Sequence, residues 1–388
     1  MAILKFSLDY ALGQDLCTGC AACVNLCPNN KYYKDKTVTL YDCSQERGRC
    51  HAYCPRTPTN LQTLRRTLFD PLDVLPEIGA YKGLYMTRAT DENIRAKAQH
   101  GGTVSALVSL ALDEGMIDQA VLANQNDRLL PDSETVSQRD DISGRAQSKF
   151  VVSPTVGCFN EASKGEAENI GVVATPCQAL ALAKMRALPY KQDQDRVKKL
   201  SLVIGLFCGW ALDWRRLEEM LRDRVGDTKI KGIDIPPSKH ACMEVYTEGG
   251  TVEIPIDKVN ECVRENCNYC FDMTCEFADI SVGSARSAEG WEVDKGWNQL
   301  IVRSALGKEL LALAMRKGVL EFKEVPEGNL EKLKKASANK KRSCLNNLAT
   351  KSGASDDLLY LNVEDPVVKE MARTDDQVCL PDCEVTRG

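Results

Sequence analysis

"NIGVVATPCQALALAKMRAL", residues 169–188, decides the fold. A short apolar run is followed by Thr-Pro and then by apolar residues at helical spacing. That reads as a buried strand ending at Ala174, a turn holding Cys177, and a helix. "LSLVIGLFCGWALDWRRLEEMLRDR", residues 200–224, repeats the layout, with a strand ending near Phe207, Cys208 in the turn and a helix from about Asp213. Upstream, "GGTVSALVSLALDEGMIDQAVLA" from Gly101 gives a glycine turn, a helix, a stop at Gly115 and a strand from about Gln119. Strands alternating with helices predict an α/β domain. It begins near Tyr81, after a Pro- and Leu-containing connector at 69–83. Both cysteines then stand at the carboxyl ends of strands, where open α/β sheets place their ligand crevices.

A different pattern precedes this domain. "CTGCAACVNLCPNN" from Cys17 has the spacing C-x2-C-x2-C-x3-C-P, the bacterial ferredoxin run for iron–sulfur ligation. Three of its thiolates grip one cluster and the fourth reaches across to a second, so a partner run is expected. The partner is imperfect: Ser44 and Arg47 stand where a regular run has cysteines, and the chain offers Cys43, Cys50 and Cys54-Pro55. One cluster is then held by Cys17, Cys20, Cys23 and Cys54, and the other by Cys27, Cys43 and Cys50. Three cysteines hold either a 3Fe-4S cluster or a 4Fe-4S cluster whose fourth iron takes a carboxylate, Glu46 being nearest, or solvent.

The 18 cysteines are not read as disulfides. Gaps of two residues suit metal chelation, and "MAILKFSLDY" has neither a basic start with a long apolar run nor a cleavage site. The expected setting is the cytoplasm of an anaerobic or low-oxygen cell. Across 388 residues, 43% are hydrophobic and 27% charged, room for two or three domains with a sizeable core. A net charge of −5 with mixed signs leaves no basic stripe for nucleic acid. The longest apolar run, "LSLVIGLFCGWALDW", falls short of the roughly 20 residues that span a bilayer, so direct membrane insertion is not expected.

Further along, "CVRENCNYCFDMTCEFADISVGSA" contains the pair Cys267 and Cys270, half a metal site. Spacing alone leaves open whether Cys177 and Cys208 complete it. The segments "AQHGGTVSALVSLALDEGMI", "SKFVVSP", "VATPCQALALAKM", "GLFC", "CNYCFDMTCEFADISVGSA", "GW" and "LIVRSALGKELL" resemble, in this order, the beta subunits of coenzyme F420-reducing hydrogenases and formate dehydrogenases. The resemblance covers about residues 81 to 325.

It implies a fold and a chemistry: an α/β, mixed α+β flavoprotein core at 84–325 that carries FAD and one 4Fe-4S cluster. Minimal members of the family lack the ferredoxin region. The core cluster is therefore implied to be held by Cys177, Cys208, Cys267 and Cys270, making two to three clusters in all. Cys158, Cys242, Cys262 and Cys275 are left as structural, Cys262 and Cys275 being the alternates. No G-x-G-x-x-G follows a strand, so FAD is expected at "QHGGT", on Gly101, Gly102 and Thr103, where a helix start accepts phosphate. Lys149 and the "ADISVG" turn, with Asp279 and Gly283, are expected nearby.

A flavin joins the two-electron chemistry of coenzyme F420 to one-electron clusters. The implied role is hydride exchange between coenzyme F420 and FAD, then electron relay to a formate dehydrogenase, hydrogenase or heterodisulfide reductase-type partner. Two rivals are a ferredoxin-dependent reductase of an organic substrate and a wiring subunit with protein partners only. No side-chain acid or base is required. Of His51, His100 and His240 only His100 adjoins the glycine turn, and Trp210, Trp291 and Trp297 are read as packing residues. The ferredoxin-like region is set at 1–68 and a charged docking tail at 326–388, its Cys379 and Cys383 read as loose thiols.

Overall fold

The computed structural model describes residues 8–41, 43, 45, 47–126, 129–236, 241–286 and 290–373. Glu46, His240, Cys379, Cys383 and the Trp291 side chain lie outside the described residues.

The central sheet has eight strands: β1 (Gly83–Ala89), β2 (Gln119–Gln125), β3 (Pro131–Val136), β4 (Ile170–Ala174), β5 (Leu200–Leu206), β6 (Ile280–Ser284), β7 (Asn298–Val302) and β8 (Leu320–Lys323). Their spatial order is β8-β1-β7-β6-β5-β4-β2-β3. The inner strands β2, β4, β5 and β6 run parallel, whereas β3, β7, β1 and β8 add antiparallel pairs on either side. The α/β core is thus a mixed sheet with a parallel centre. Parallel strands are covered on both faces, which is why IGVVA and LSLVIGL read as continuous apolar runs.

Local chemistry sets the turns after β4 and β5. Helix α1 spans Thr103–Asp113, α2 Pro176–Ala187 and α3 Trp214–Val225. Pro176 opens α2, and Gln178 Oε1 accepts the Thr175 N–H at 2.8 Å. Asp213 caps α3, accepting from the Arg215 and Arg216 N–H groups at 3.0 and 3.2 Å. A three-stranded antiparallel sheet, Ile230–Asp234, Cys242–Thr247 and Gly250–Pro255, shares a core with α3 through Leu217, Leu221, Met243, Val245 and Ile254.

The N-terminal segment forms a hairpin, Asn30–Tyr33 with Lys36–Thr39, and helices at Arg49–Tyr53 and Leu61–Leu68. Its core is shared rather than its own. Leu16, Tyr53 and Leu64 are buried in one cluster with Leu180 and Met185 of α2 and with Leu345, Tyr360 and Val368 from near the C-terminus. Residues 329–373, read above as part of a docking tail, thus fold back onto the body. Helix α4 (Asn329–Ser352) buries Leu333, Ser337, Lys341, Cys344, Leu345 and Leu348. That stripe has helical spacing but hides among lysines. Lys341 is buried because it pairs with Glu276, also buried. The segments at 59–65 and 360–365 meet directly, with the Thr59 N–H donating to Tyr360 O at 2.9 Å and Arg65 paired to Asp365 at 3.0 Å.

Asp35, at the hairpin turn, fastens the N-terminal segment to the core. It is fully buried and accepts from Arg264 Nη1 at 2.6 Å, from the Trp214 N–H at 3.1 Å and from Arg215. Asp35→Ala leaves Arg264 buried without its counter-ion and is expected to cost about 3–5 kcal/mol. A thermal melt checks it, and an unshifted midpoint would show that the ion pairs do not hold the segments together.

Candidate functional site

β4 and β5 end side by side, with Ala174 level with Gly205. Residues 262–279 close over these ends. The Cys208 N–H donates to Met273 O at 2.9 Å, the Ala211 N–H donates to Cys267 Sγ at 3.3 Å, and Cys275 Sγ donates to Ala174 O at 3.4 Å. Gly205 permits this closeness, since a Cβ there would stand 2.6 Å from Cys275 Sγ.

Cys177, Cys208, Cys267 and Cys270 come into one neighbourhood here. Burial pushes the Cys208 thiol well above its ordinary range; Cys267, Cys177 and Cys270 push the same way and Lys340 opposes them. Burial likewise raises Cys177, with Cys270 and Cys267 adding and a Thr175 hydrogen bond opposing. Cys275 is buried beneath the strand ends, and Cys262 lies in the separate core around α3, beside Met220. Cys344 of α4, not singled out from the sequence, joins the group. Burial pushes its thiol up to about 12, with Cys270 next in effect. Its place in the buried stripe of α4 was the available signal.

The N-terminal thiols form two further neighbourhoods. Burial raises Cys23, with Cys17, Cys54 and Cys20 adding to it against a Thr37 hydrogen bond. Burial also pushes Cys50 up to about 11, with Cys27 and then Cys43 among the groups adding to it. Cys20, raised by burial, feels Cys177 next and Cys54 after it, so the first N-terminal group adjoins the core group.

Whether these thiols suit iron–sulfur clusters is tested by geometry and charge. Among the described residues no three Cys, His, Asp or Glu side chains converge as they would on one metal ion. The thiols that could hold a cluster are gathered at the strand ends and in the N-terminal segment. Two buried cations, Arg56 and Lys184, and the half-buried Lys340 surround them. Arg56 is 4% exposed; its N–H donates to Cys54 Sγ at 3.4 Å and its guanidinium lies 4.6 Å over the Tyr360 ring. Lys184 Nζ donates to Cys54 O at 2.6 Å and to the Thr57 and Thr59 hydroxyls at 3.1 and 3.0 Å. Lys340 Nζ donates to Gly209 O, and although burial pulls the ammonium down, Cys270, Cys208, Cys267 and Cys344 hold it above its ordinary value. Among the described residues none of these cations has a carboxylate ion-pair partner; carbonyl and hydroxyl oxygens accept their hydrogen bonds beside the sulfur groups.

The expected flavin residues are less gathered. Gly102, with φ of 75°, caps α1, and Gly101 is packed so tightly that a Cβ would meet Asn298 Oδ1 at 2.8 Å. Thr103 is buried, its hydroxyl bonded to that of Thr87 and its N–H donating to Asn298 Oδ1 at 3.3 Å. Asp279 is spent inside the fold, accepting from the Val203 N–H at 2.8 Å, Arg186 at 3.1 Å and the Ser304 hydroxyl at 2.7 Å. Gly283 lies against the Phe207 ring, 2.2 Å from where a Cβ would stand. Lys149 instead lines an open cleft of about 390 Å³, together with Lys97, Lys231, Asn124, Gln125 and Ser148. Burial pulls the Lys149 ammonium down, Arg145 adding. Gln99, in the glycine turn, donates to Asp234 of the strand whose other residues wall this cleft.

Family models for the N-terminal and C-terminal parts of the coenzyme F420 hydrogenase/dehydrogenase beta subunit match residues 84–159 and 167–328. The chain belongs to this family. The coenzyme F420 hydrogenase subunit beta of Methanothermobacter thermautotrophicus is 29% identical over 282 residues, covering 71% of this chain and 96% of that one. A coenzyme F420-dependent sulfite reductase of Methanocaldococcus jannaschii is 26% identical over 358 residues, 88% of this chain but 53% of that protein. A chain from the coenzyme F420-reducing NiFe hydrogenase complex of Methanosarcina barkeri superposes with a TM-score of 0.63 at 28% identity, covering 73% of this chain and 96% of that one. Within this beta-subunit family no described helix of the present chain is long and apolar enough to cross a membrane.

His100, beside the glycine turn, has its imidazole pulled down to about 4 by burial and then by Arg286. The unfolded chain keeps the ordinary value of 6.5, so this contribution to stability is full above that pH and is lost as pH falls towards 4. His100→Gln should therefore flatten the fall in stability between those values, measured by denaturant midpoints; an unchanged slope would mean the ring is solvated.

Proposed function

We propose that this protein is the electron-transferring beta subunit of a coenzyme F420-linked redox complex. It binds FAD in the lysine-lined cleft, holds iron–sulfur clusters at its thiol groups and docks on the catalytic subunit of a hydrogenase or dehydrogenase. The observation that carries the reading is that Cys177 packs against the same hydrophobic core in which Cys20 is buried, which supports one track through the N-terminal and core thiols. The track reaches the surface at Cys43, which is exposed.

A bound flavin supplies the exchange between hydride and single-electron chemistry. The chain supplies the setting. Lys97, Lys149 and Lys231 offset phosphate charge, while the 98–102 turn, tied to the cleft wall through Gln99, orders that side of it. Gly101, Gly102 and Thr103 thus act from behind the cleft, and Asp279 and Gly283 keep the strand ends packed. Cys177, Cys208, Cys267 and Cys270 hold the core cluster; Cys17, Cys20, Cys23 and Cys54 hold the next; and Cys27, Cys43 and Cys50 hold one lacking a fourth cysteine. The N–H groups of Ala211 and Arg56 aim at Cys267 and Cys54, favouring the thiolate forms. No described residue of 326–373 lines the cleft, so nothing among the described residues favours a wiring subunit closed to substrate.

Protein purified without oxygen is expected to contain FAD and roughly 8 to 12 irons, the range for two or three clusters. Rapid mixing with reduced coenzyme F420 should bleach the flavin band. Bleaching by reduced ferredoxin alone would favour a ferredoxin-dependent reductase, and absence of flavin would sink the proposal. Cys267→Ala should remove about four irons while leaving the N-terminal clusters' spectra in place; unchanged iron would make Cys267 structural.

A further inference from the structure

Arg56 belongs to the N-terminal cysteine segment, yet its charge sits in the core group. Its N–H donates to Cys54 Sγ at 3.4 Å, while Nη2 donates at 3.3 Å to the carbonyl of Asn266, the neighbour of Cys267. The guanidinium lines a small cavity with Cys177 and Cys270, and its Nε is buried without a partner. A second cation arrives from the other end of the chain, where Lys340 of α4 donates to the carbonyl of Gly209, the neighbour of Cys208. Two carboxylates, Asp272 and Glu276, also face the cavity. Glu276 pairs with Lys341, and Asp272 accepts the Glu276 N–H at 2.8 Å, leaving its second oxygen buried without a partner.

We infer that Arg56 and Lys340 are positioning charges that raise the reduction potential of the core cluster, an inference that rests on the cluster reading above. Reduction adds a negative charge to the site, and fixed cations in a poorly screened interior favour it. Both residues lie outside the stretches matched by the family models, 84–159 and 167–328. The N-terminal segment and α4 thereby act on the core cluster from outside the shared domain, making it a stronger electron acceptor beside the flavin.

The test is a redox titration of the anaerobically purified full chain, following the core cluster by electron paramagnetic resonance. Arg56→Met and Lys340→Met are each expected to shift the reduced-to-oxidised ratio roughly tenfold towards oxidised at a fixed potential, about 59 mV for a one-electron couple. Arg56→Lys and Lys340→Arg should restore most of the shift at unchanged iron content. An unmoved core potential in both Met variants, with iron retained, overturns the inference. If Arg56→Met loses the core iron, Lys340→Met decides, because its side chain is only half-buried; loss of iron in both variants assigns the cations to assembly and also overturns it. Wild-type protein without core iron would instead overturn the functional reading.

Discussion

Buried positive charge without a carboxylate is the constraint on which the rest of this structure depends. An uncompensated ion in a protein interior costs several kcal/mol, and Arg56 and Lys184, both buried, face that cost where the half-buried Lys340 meets water. The same chain pairs several other buried charges conventionally: Asp35 with Arg264, Glu276 with Lys341, Asp365 with Arg65. Arg303, fully buried, is held instead by the carbonyls of Ile78, Ala80 and Thr274 and by the Ser281 hydroxyl. Of these buried charges, one kind ties distant segments together and another faces sulfur.

Helix α2 is where the two meet. Its Lys184 reaches Cys54, Thr57 and Thr59 of the N-terminal segment, and Thr59 in turn pairs with the C-terminal Leu361. The turn that begins the same helix carries Cys177. Burying Lys184 on α2 therefore fixes the N-terminal thiols relative to the strand ends. Tyr360 then covers Arg56 and donates its hydroxyl to Tyr269 O at 2.8 Å, between the core cysteines and the tail. The first, middle and last parts of the sequence all contribute to one sulfur-rich interior, which is why they share a hydrophobic core.

What the sequence disclosed was local. The strand–turn–helix units at 170–187 and 200–225 were legible because periodicity and caps such as Asp213 act within a few residues. The meeting of Cys177, Cys208, Cys267 and Cys270 was not derivable from spacing, because it depends on β4, β5 and β6 being neighbours in the sheet. Asp279 was expected near the flavin from the "ADISVG" turn of the family resemblance; here the Val203 N–H and Arg186 claim its carboxylate. In the glycine turn, Gly101 answers to the crowding of Asn298 and Arg88. Of the lysine cleft only Lys149 was singled out, since Lys97, Lys149 and Lys231 come from three separated segments. α4 escaped notice because its buried stripe includes Ser337 and Lys341 and runs through a lysine-rich segment.

On the proposed reading, burial also gives the thiol track a direction. The core group is enclosed by α4, Tyr360 and the 262–279 segment, where low local dielectric makes each fixed charge count and keeps solvent from the sulfur. Cys43, at the incomplete N-terminal group, is exposed and accepts only the nearby Gln45 N–H at 3.4 Å. A cluster there would be the one a partner's redox centre could approach. Potential control belongs at the enclosed end, because charges near the surface group are screened by water within a Debye length of about 8–10 Å. The placement of Arg56 and Lys340 follows this logic: both stand at the core group, and neither stands at the surface group.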